Sequence, residues 1–208
     1  LKQTGCASFR EYLDNLNSPT STEWQPFVNA LTTNLTSFFR EDYHFPVLAE
    51  FLRKNRQAGR TLQIWCAAAS TGQEPYSIAM TAIEALGANP PVRILATDID
   101  TDVLATAERA VYPLDTVSKM APERLRTFFL KGRDGQSGMV RVRPEVKSLI
   151  RFQTLNLVNA NWSMTDRFDV VFCRNVMIYF ERDKRAQVIQ NFHRVLNPGG
   201  LLFVGHSE

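Results

Sequence analysis

The sequence feature that most constrains the fold lies between residues 167 and 206. An apolar run, FDVVFCRNVMIYF, is followed by about fifteen residues of helical character and then by LNPGGLLFVGH. The order strand, helix, Pro-Gly-Gly turn and strand predicts a right-handed βαβ unit of a parallel sheet. Arg174 and Asn175 directly follow the apolar residues 168–173. Because ligands of open α/β sheets bind outside the carboxyl ends of the strands, we expect a binding site at these two residues.

The composition is that of one folded domain with an accessory segment, since the chain has 208 residues of which 44% are hydrophobic. Its three cysteines, Cys6, Cys66 and Cys173, are odd in number and widely spaced, which favours a reducing compartment over a disulfide framework. The sequence has neither a run of eighteen apolar residues nor the pattern of a signal peptide. We therefore expect a cytoplasmic protein that does not insert into a membrane.

From residue 62 the pattern alternates between strands and helices, which predicts an α/β fold. Before it, residues 22–33 and 45–57 have helical spacing, and the threonines and asparagine of TTNLTSFFRE favour a loop between them. The elements predicted for the α/β part are strands at 62–66, 92–97 and 150–154 and helices at 75–86 and 101–110.

The segment between residues 111 and 149 interrupts this alternation. It has a helical stretch at 122–130 and the strictly alternating MVRVR, which predicts a hairpin inserted into the α/β core. Residues 119–151 contain nine basic and three acidic side chains. This surface suits an acidic partner, and a solvated basic face is the alternative. A nucleic-acid partner is not expected, because it would need interleaved aromatic residues or a basic stripe and MVRVR offers neither strongly.

The loop after the first strand, AAASTGQEP at residues 67–75, consists of small residues that allow a ligand to approach the backbone at a helix N-terminus. It has one glycine where a dinucleotide-binding loop has three. Glu74 would repel a phosphate and attract an ammonium group. A tight turn without a ligand is the alternative interpretation.

Polar residues also end the second and third strands. Asp98 lies about 25 residues beyond the loop, where an acidic residue can accept hydrogen bonds from both ribose hydroxyls. We expect Asp100 to cap the following helix. Asn156 and Leu157 could hold and cover an adenine edge, or form an ordinary turn. Together these residues predict a nucleoside with a charged tail and no phosphate, which describes S-adenosylmethionine.

Six motifs carry a resemblance to a known family: TTNLTSFFRE, AASTGQEPYSIA, ATDID, FCRNVMIYF, LNPGG and GHSE. In this order and spacing, the chain from Trp24 to Glu208 closely resembles the CheR-type chemoreceptor glutamate methyltransferases. The resemblance implies a Rossmann-like class I S-adenosylmethionine methyltransferase with a small inserted antiparallel β-subdomain and a partial N-terminal helical domain. The implied division is 1–33 for the helical remnant, 34–61 for a linker and helix contributing to the cofactor site, and 62–208 for the methyltransferase domain with its insertion at about 115–149.

The resemblance also implies which residues hold the cofactor. The small-residue loop takes the methionine portion and Asp98 takes the ribose, with either Gln73 or Glu74 at the amino group. The implied cofactor-binding residues are Asn34, Thr36, Arg40, Ala67, Gln73, Glu74, Asp98, Asn156, Leu157, Arg174 and Asn175.

The implied reaction moves a methyl group from a sulfonium to a glutamate carboxylate of a receptor, leaving S-adenosylhomocysteine. With a pKa of about 4.3 the glutamate is already ionised at neutral pH, so a strong general base is unnecessary. Arg40 is expected to orient the incoming carboxylate with its planar fork. Tyr179 is a second catalytic candidate, or a packing aromatic. The three histidines are too scattered to predict a metal site.

The implied partner is the cytoplasmic domain of a chemoreceptor, including a C-terminal tail peptide bound to the β-subdomain by strand addition. We expect a monomer. One alternative is a methyltransferase acting on nucleic-acid amines, but such enzymes carry an Asn/Asp-Pro-Pro-aromatic motif where this chain has Arg174-Asn175-Val176-Met177. The other alternative is a degenerate cofactor-binding scaffold that serves as a receptor adaptor.

Overall fold

A computed structural model describes residues 4–18, 20–133, 135, 137–162, 164–206 and 208. Residues 1–3 and 19, within the predicted helical remnant, and Ser207 of the GHSE motif lie outside the described residues. The helices are α1 (Phe9–Leu16), α2 (Trp24–Leu31), α3 (His44–Asn55), α4 (Gln73–Leu86), α5 (Thr101–Arg109), α6 (Pro122–Phe128), α7 (Pro144–Lys147) and α8 (Arg182–Val195). The strands are β1 (Leu62–Cys66), β2 (Val92–Asp98), β3 (Val111–Pro113), β4 (Phe129–Lys131), β5 (Met139–Val142), β6 (Ile150–Thr154), β7 (Phe168–Cys173) and β8 (Leu196–Val204).

A parallel sheet with the order β6-β2-β1-β7-β8 forms the centre of the molecule. β1 is inside the sheet with both faces covered, and its alternating side chains divide between the two sides. Ile64 packs with α3 and α4, whereas Trp65 packs against Phe192 of α8. The order reverses between β1 and β7, so the loops after these strands diverge and leave a crevice at the carboxyl edge.

The strand β8 begins earlier than predicted. The Pro-Gly-Gly sequence was expected to be a turn before the strand, but β8 already pairs with β7 at Leu196. The register then shifts, so that Val170 pairs with Leu201 and the intervening residues bulge. A Cβ atom on Gly200 would lie 2.9 Å from the carbonyl oxygens of Asn197 and Asp169. Glycine is therefore required where the bulge folds against β7.

The inserted segment forms an antiparallel sheet with the order β3-β5-β4. The pair β4 and β5 forms the predicted hairpin, but α6 ends at Phe128 and β4 begins at Phe129, within the predicted helix 122–130. The sequence analysis missed β3, which lies ahead of position 115, where we expected the insertion to begin. At three residues including a proline, this strand has no period long enough to recognise.

The N-terminal helix α2 lies over the start of α5 through polar contacts. Gln25 donates to the carbonyl oxygen of Ile99 at 2.8 Å, and Asn29 donates to the hydroxyl of Thr101 at 3.1 Å. The helix is shorter than the predicted 22–33, and none of its residues is fully buried. Among the described residues, no helix combines the length and apolar character needed to cross a membrane.

Candidate active site

A cavity of about 380 Å³ opens at the carboxyl edge of the parallel sheet. Its wall is built from the segment before α3 and from the loops that follow β1, β2, β6 and β7. This volume suits a small-molecule ligand. The residues predicted for the site that line this cavity are Asn34, Thr36, Arg40, Ala67, Glu74, Asp98, Asn156, Leu157, Arg174, Asn175 and Tyr179.

The loop after β1 approaches the cavity in a compact conformation. Its start is held by β7, because Ala67 donates its amide to the carbonyl of Phe172 at 2.8 Å. Ser70 and Gly72 have left-handed backbones, with φ of 47° and 98°. A Cβ atom at Gly72 would lie 2.8 Å from the Cβ of Ala107. The single glycine of the loop thus allows close packing at the start of α4.

Asp98 ends β2 at the cavity wall. Its carboxylate accepts hydrogen bonds from the amides of Ser70 at 2.8 Å and Asp100 at 3.1 Å. Burial raises the pKa of Asp98, although these amides oppose the shift. Asp100 has the predicted separate role, since it caps α5 by accepting from the amide of Asp102.

The structure separates the two candidates for an ammonium contact. Gln73 is buried and accepts a hydrogen bond from Thr71 at 2.8 Å, and it is not among the lining residues of the cavity. Glu74 lines the cavity, where its carboxylate lies 2.5 Å from the guanidinium of Arg174. Burial raises the pKa of Glu74, and the charge of Arg174 counteracts part of this shift. Only Glu74 has the position required for the predicted contact.

Arg174 connects three parts of the wall. Its side chain is fully buried; Nη1 donates to Glu74, and Nη2 donates to the carbonyl of Arg40 at 2.5 Å. Nη2 also lies 3.3 Å from the carboxylate of Glu41. The Nε atom is buried and has no hydrogen-bond partner within the described residues. A ligand atom that accepts at this position would complete the hydrogen bonding of Arg174.

The segment before α3 is a loop, as the threonines of TTNLTSFFRE predicted. Phe39 and Glu41 on either side of Arg40 have left-handed backbones, each with φ of 52°. The amide of Phe39 donates to the hydroxyl of Ser77 in α4 at 2.9 Å, and Arg40 donates to the carbonyl of Leu35 at 2.9 Å. The contact with α4 therefore holds the loop around Arg40 in a backbone conformation that is otherwise unfavourable for Phe39 and Glu41.

Residues after β6 and β7 form the remaining wall. The side-chain oxygen of Asn156 accepts a hydrogen bond from the amide of Val158 at 3.0 Å, which closes a short turn. Leu157 is buried beside this turn. Tyr179 lies in a 3₁₀ turn (Met177–Tyr179), and 62% of its surface is exposed. Tyr179 is thus at the mouth of the cavity, where it can meet a second, larger molecule.

Sequence analysis missed two carboxylates that support these loops. Glu41 accepts from Nδ2 of Asn175 at 3.0 Å and from the amide of His206 at 3.2 Å. Glu208 accepts from the amides of Val176 at 2.6 Å and Gly205 at 2.6 Å. Each is the last residue of a motif, TTNLTSFFRE and GHSE, and its position there was the available signal.

In the part of the chain that the structure describes, no group of three or more His, Cys, Asp or Glu side chains is placed to hold a metal ion.

Comparison with known proteins gives matches over nearly the whole chain. The family model described as CheR methyltransferase, SAM binding domain, matches residues 34–208. Chemotaxis protein methyltransferase 2 of Pseudomonas aeruginosa is 50% identical over 202 residues, covering 97% of this chain and 72% of the relative. The chemotaxis protein methyltransferase of Escherichia coli is 45% identical over 210 residues, covering 100% of this chain and 72% of the relative.

A solved structure supports the fold alone. PKMT2 from Rickettsia typhi aligns with a TM-score of 0.50 at 13% identity, covering 83% of this chain and 26% of that chain.

Proposed function

The chain belongs to the CheR methyltransferase family, and from this premise we propose that it transfers methyl groups from S-adenosylmethionine to glutamate side chains of chemoreceptors. The products are glutamate γ-methyl esters and S-adenosylhomocysteine. The observation that carries this proposal is that one cavity combines Asp98, Glu74 and Arg40. These residues suit a ribose, an ammonium group and an incoming carboxylate. The relatives named above are chemotaxis protein methyltransferases, which supports a receptor as the substrate.

The residues of the cavity fit S-adenosylmethionine. The buried Nε atom of Arg174 offers a donor to the cofactor's carboxylate, and Glu74 offers an acceptor to its ammonium group. Asp98 is suited to the ribose hydroxyls, while Asn156 and Leu157 are suited to the adenine. The carboxylate of Glu74 on this wall would repel a phosphate, in keeping with a cofactor that lacks one.

When bound, the cofactor supplies a methyl group on an electrophilic sulfonium. The protein has to bring the acceptor carboxylate in line with this group and exclude water from it. Arg40 can bind one acceptor oxygen and leave the other free to attack. Tyr179, at the mouth, can contact the segment that carries the acceptor. Because the acceptor is already ionised at neutral pH, no side chain has to remove a proton.

Receptor docking is the proposed role of the inserted sheet. Arg141 on the central strand β5 is exposed between cross-strand neighbours Val111 and Leu130. The outer strands β3 and β4 each present an edge to which an extended receptor tail could add.

From the resemblance to the family we also propose that the chain divides into residues 1–33, 34–61 and 62–208. We propose that it acts as a monomer in the cytoplasm. Buried free thiols at Cys66 and Cys173 support a reducing compartment.

Methylation of receptor fragments tests the proposal. The protein is incubated with labelled S-adenosylmethionine and receptor cytoplasmic fragments, and base-labile release of methanol is measured. Base-labile label on receptor glutamates is expected. Base-stable label would indicate another acceptor, and cofactor binding without transfer would indicate an adaptor. Either result would contradict the proposed esterification.

A further inference from the structure

We propose that Glu41 is a positioning residue of the active site, whose carboxylate fixes Arg40 in the orientation that receives the acceptor carboxylate. This inference rests on the proposed function. Glu41 is not among the residues that line the cavity, and only 17% of its side chain is exposed. Its influence on the reaction must therefore pass through its neighbours.

Donors from several parts of the chain surround this carboxylate. It accepts from Asn175 after β7, from the amide of His206 after β8 and from the hydroxyl of Tyr43 at 3.1 Å. The guanidinium of Arg174 adds a charged contact at 3.3 Å. Three separate chain segments thus meet at one side chain, which ties the loop before α3 to two strand ends.

The backbone of Arg40 is held by the guanidinium of Arg174. Arg174 donates to the carbonyl oxygen of Arg40 and also contacts the carboxylate of Glu41. Arg174 therefore holds this part of the loop through the backbone carbonyl of Arg40 and the side chain of Glu41. Because Phe39 and Glu41 have left-handed backbones, the loop would relax to another conformation without these contacts.

Electrostatics also connect Glu41 to Arg40. Arg174 lies between the carboxylates of Glu74 and Glu41, and its charge is shared between them. If Glu41 became neutral, both terminal nitrogens of Arg174 could contact Glu74, and the hydrogen bond to the carbonyl of Arg40 would be lost. The orientation of Arg40 then depends on a charge outside the cavity.

A double-mutant cycle tests the inference. Glu41→Gln keeps the size of the side chain and replaces an acceptor oxygen with a donor. At saturating cofactor we expect a kcat between about tenfold and about a hundredfold lower, as for a misplaced catalytic group. In the Arg40→Ala background, Glu41→Gln should cause no further loss of the residual rate. Independent, multiplying losses would overturn the inference, because they would mean that Glu41 does not act through Arg40.

A milder variant and a matched control complete the experiment. Tyr43→Phe removes one donor from the carboxylate, and a small loss of kcat that disappears in the Arg40→Ala background is expected. An unchanged kcat for both Glu41→Gln and Tyr43→Phe would overturn the inference. Glu50→Gln removes the exposed ion pair of Glu50 with Lys54 on α3 and should leave kcat unchanged.

A readout without catalysis separates this inference from the proposed function. A wild-type protein that does not methylate receptors contradicts the proposed function only. Hydrogen exchange then decides the inference: in Glu41→Gln, faster amide exchange confined to residues 34–43 and to His206, whose amide donates to Glu41, supports it. Unchanged exchange in this segment, or faster exchange throughout the protein, overturns it.

Discussion

The guanidinium of Arg174 lies 2.5 Å from the carboxylate of Glu74, although the two residues are 100 positions apart in the chain. This contact ties the end of β7 to the first turn of α4 across the crevice of the sheet. Arg174 compensates the buried charge of Glu74, so that the carboxylate can remain ionised and available to a cationic ligand.

Cofactor binding should depend on the ionisation of Glu74. Burial raises the pKa of Glu74 above the usual 4.5, so the carboxyl group becomes protonated at a higher pH than an exposed glutamate. Affinity for S-adenosylhomocysteine should therefore fall from neutral to mildly acidic pH. Calorimetry across this range measures the effect. Glu74→Gln should bind more weakly at neutral pH and lose much of the pH dependence, and an unaltered profile would contradict the role of Glu74.

Asp98→Ala should weaken cofactor binding by about 1 to 3 kcal/mol, the usual cost of losing hydrogen bonds to a charged group. The ribose hydroxyls would lose their acceptor, and the amide of Ser70 would lose its partner as well. The exposed Asp102 in the first turn of α5 offers a control, because Asp102→Ala changes the same charge away from the cavity. Equal calorimetric affinities for the two variants would refute the assignment of Asp98.

How much of this site the sequence could predict depends on the range of the interactions. The position of Asp98 at the cavity wall was predictable because a topological rule places the end of each parallel strand at the same edge. Which of Gln73 and Glu74 faces the cavity could not be predicted, because adjacent residues of a helix point about 100° apart and the sequence does not fix the rotation of the helix about its axis. Glu41 was missed because its contacts with Asn175 and His206 span 134 and 165 positions. No local pattern contains such contacts.

Gly72→Ala should destabilise the protein more than Gly87→Ala. Both glycines have positive φ, 98° and 88°, and Gly87 with its ψ of −177° lies in a region that is essentially restricted to glycine, so both variants carry a backbone cost of about 1 to 3 kcal/mol. Only at Gly72 would the new Cβ atom meet Ala107 and the hydroxyl of Tyr112, each at 2.8 Å. This overpacking adds about 1 to 3 kcal/mol. Urea unfolding measures the difference, and equal stabilities would contradict the close packing described at α4.

Glu41 should contribute to stability in a way that disappears in acid. Burial raises the pKa of Glu41, but the hydrogen bond from Asn175 and the charge of Arg174 outweigh it and bring the pKa to about 2. The folded-state pKa is thus below the ordinary 4.5, so the stabilisation is present above pH 4.5 and is lost as the pH falls toward 2. The stability gap between wild type and Glu41→Gln should close over this range. If urea titrations at falling pH show a constant difference in the free energy of unfolding between the two proteins, the ionised carboxylate of Glu41 does not stabilise the fold.

Charge reversal on the inserted sheet should weaken the binding of the receptor and leave the affinity for the cofactor unchanged. Arg141 is exposed on the central strand β5, and an acidic partner would lose an attractive contact and meet a repulsive one in Arg141→Glu. We expect the KM for a receptor with its tail to rise by about twofold to tenfold, in the range of exposed ion pairs. The difference should shrink at high salt because exposed charges are screened. Arg93→Glu on β2, also exposed, serves as the control outside this sheet. If both variants keep the wild-type KM while cofactor affinity is unchanged, the basic face is merely solvated and the receptor docks elsewhere.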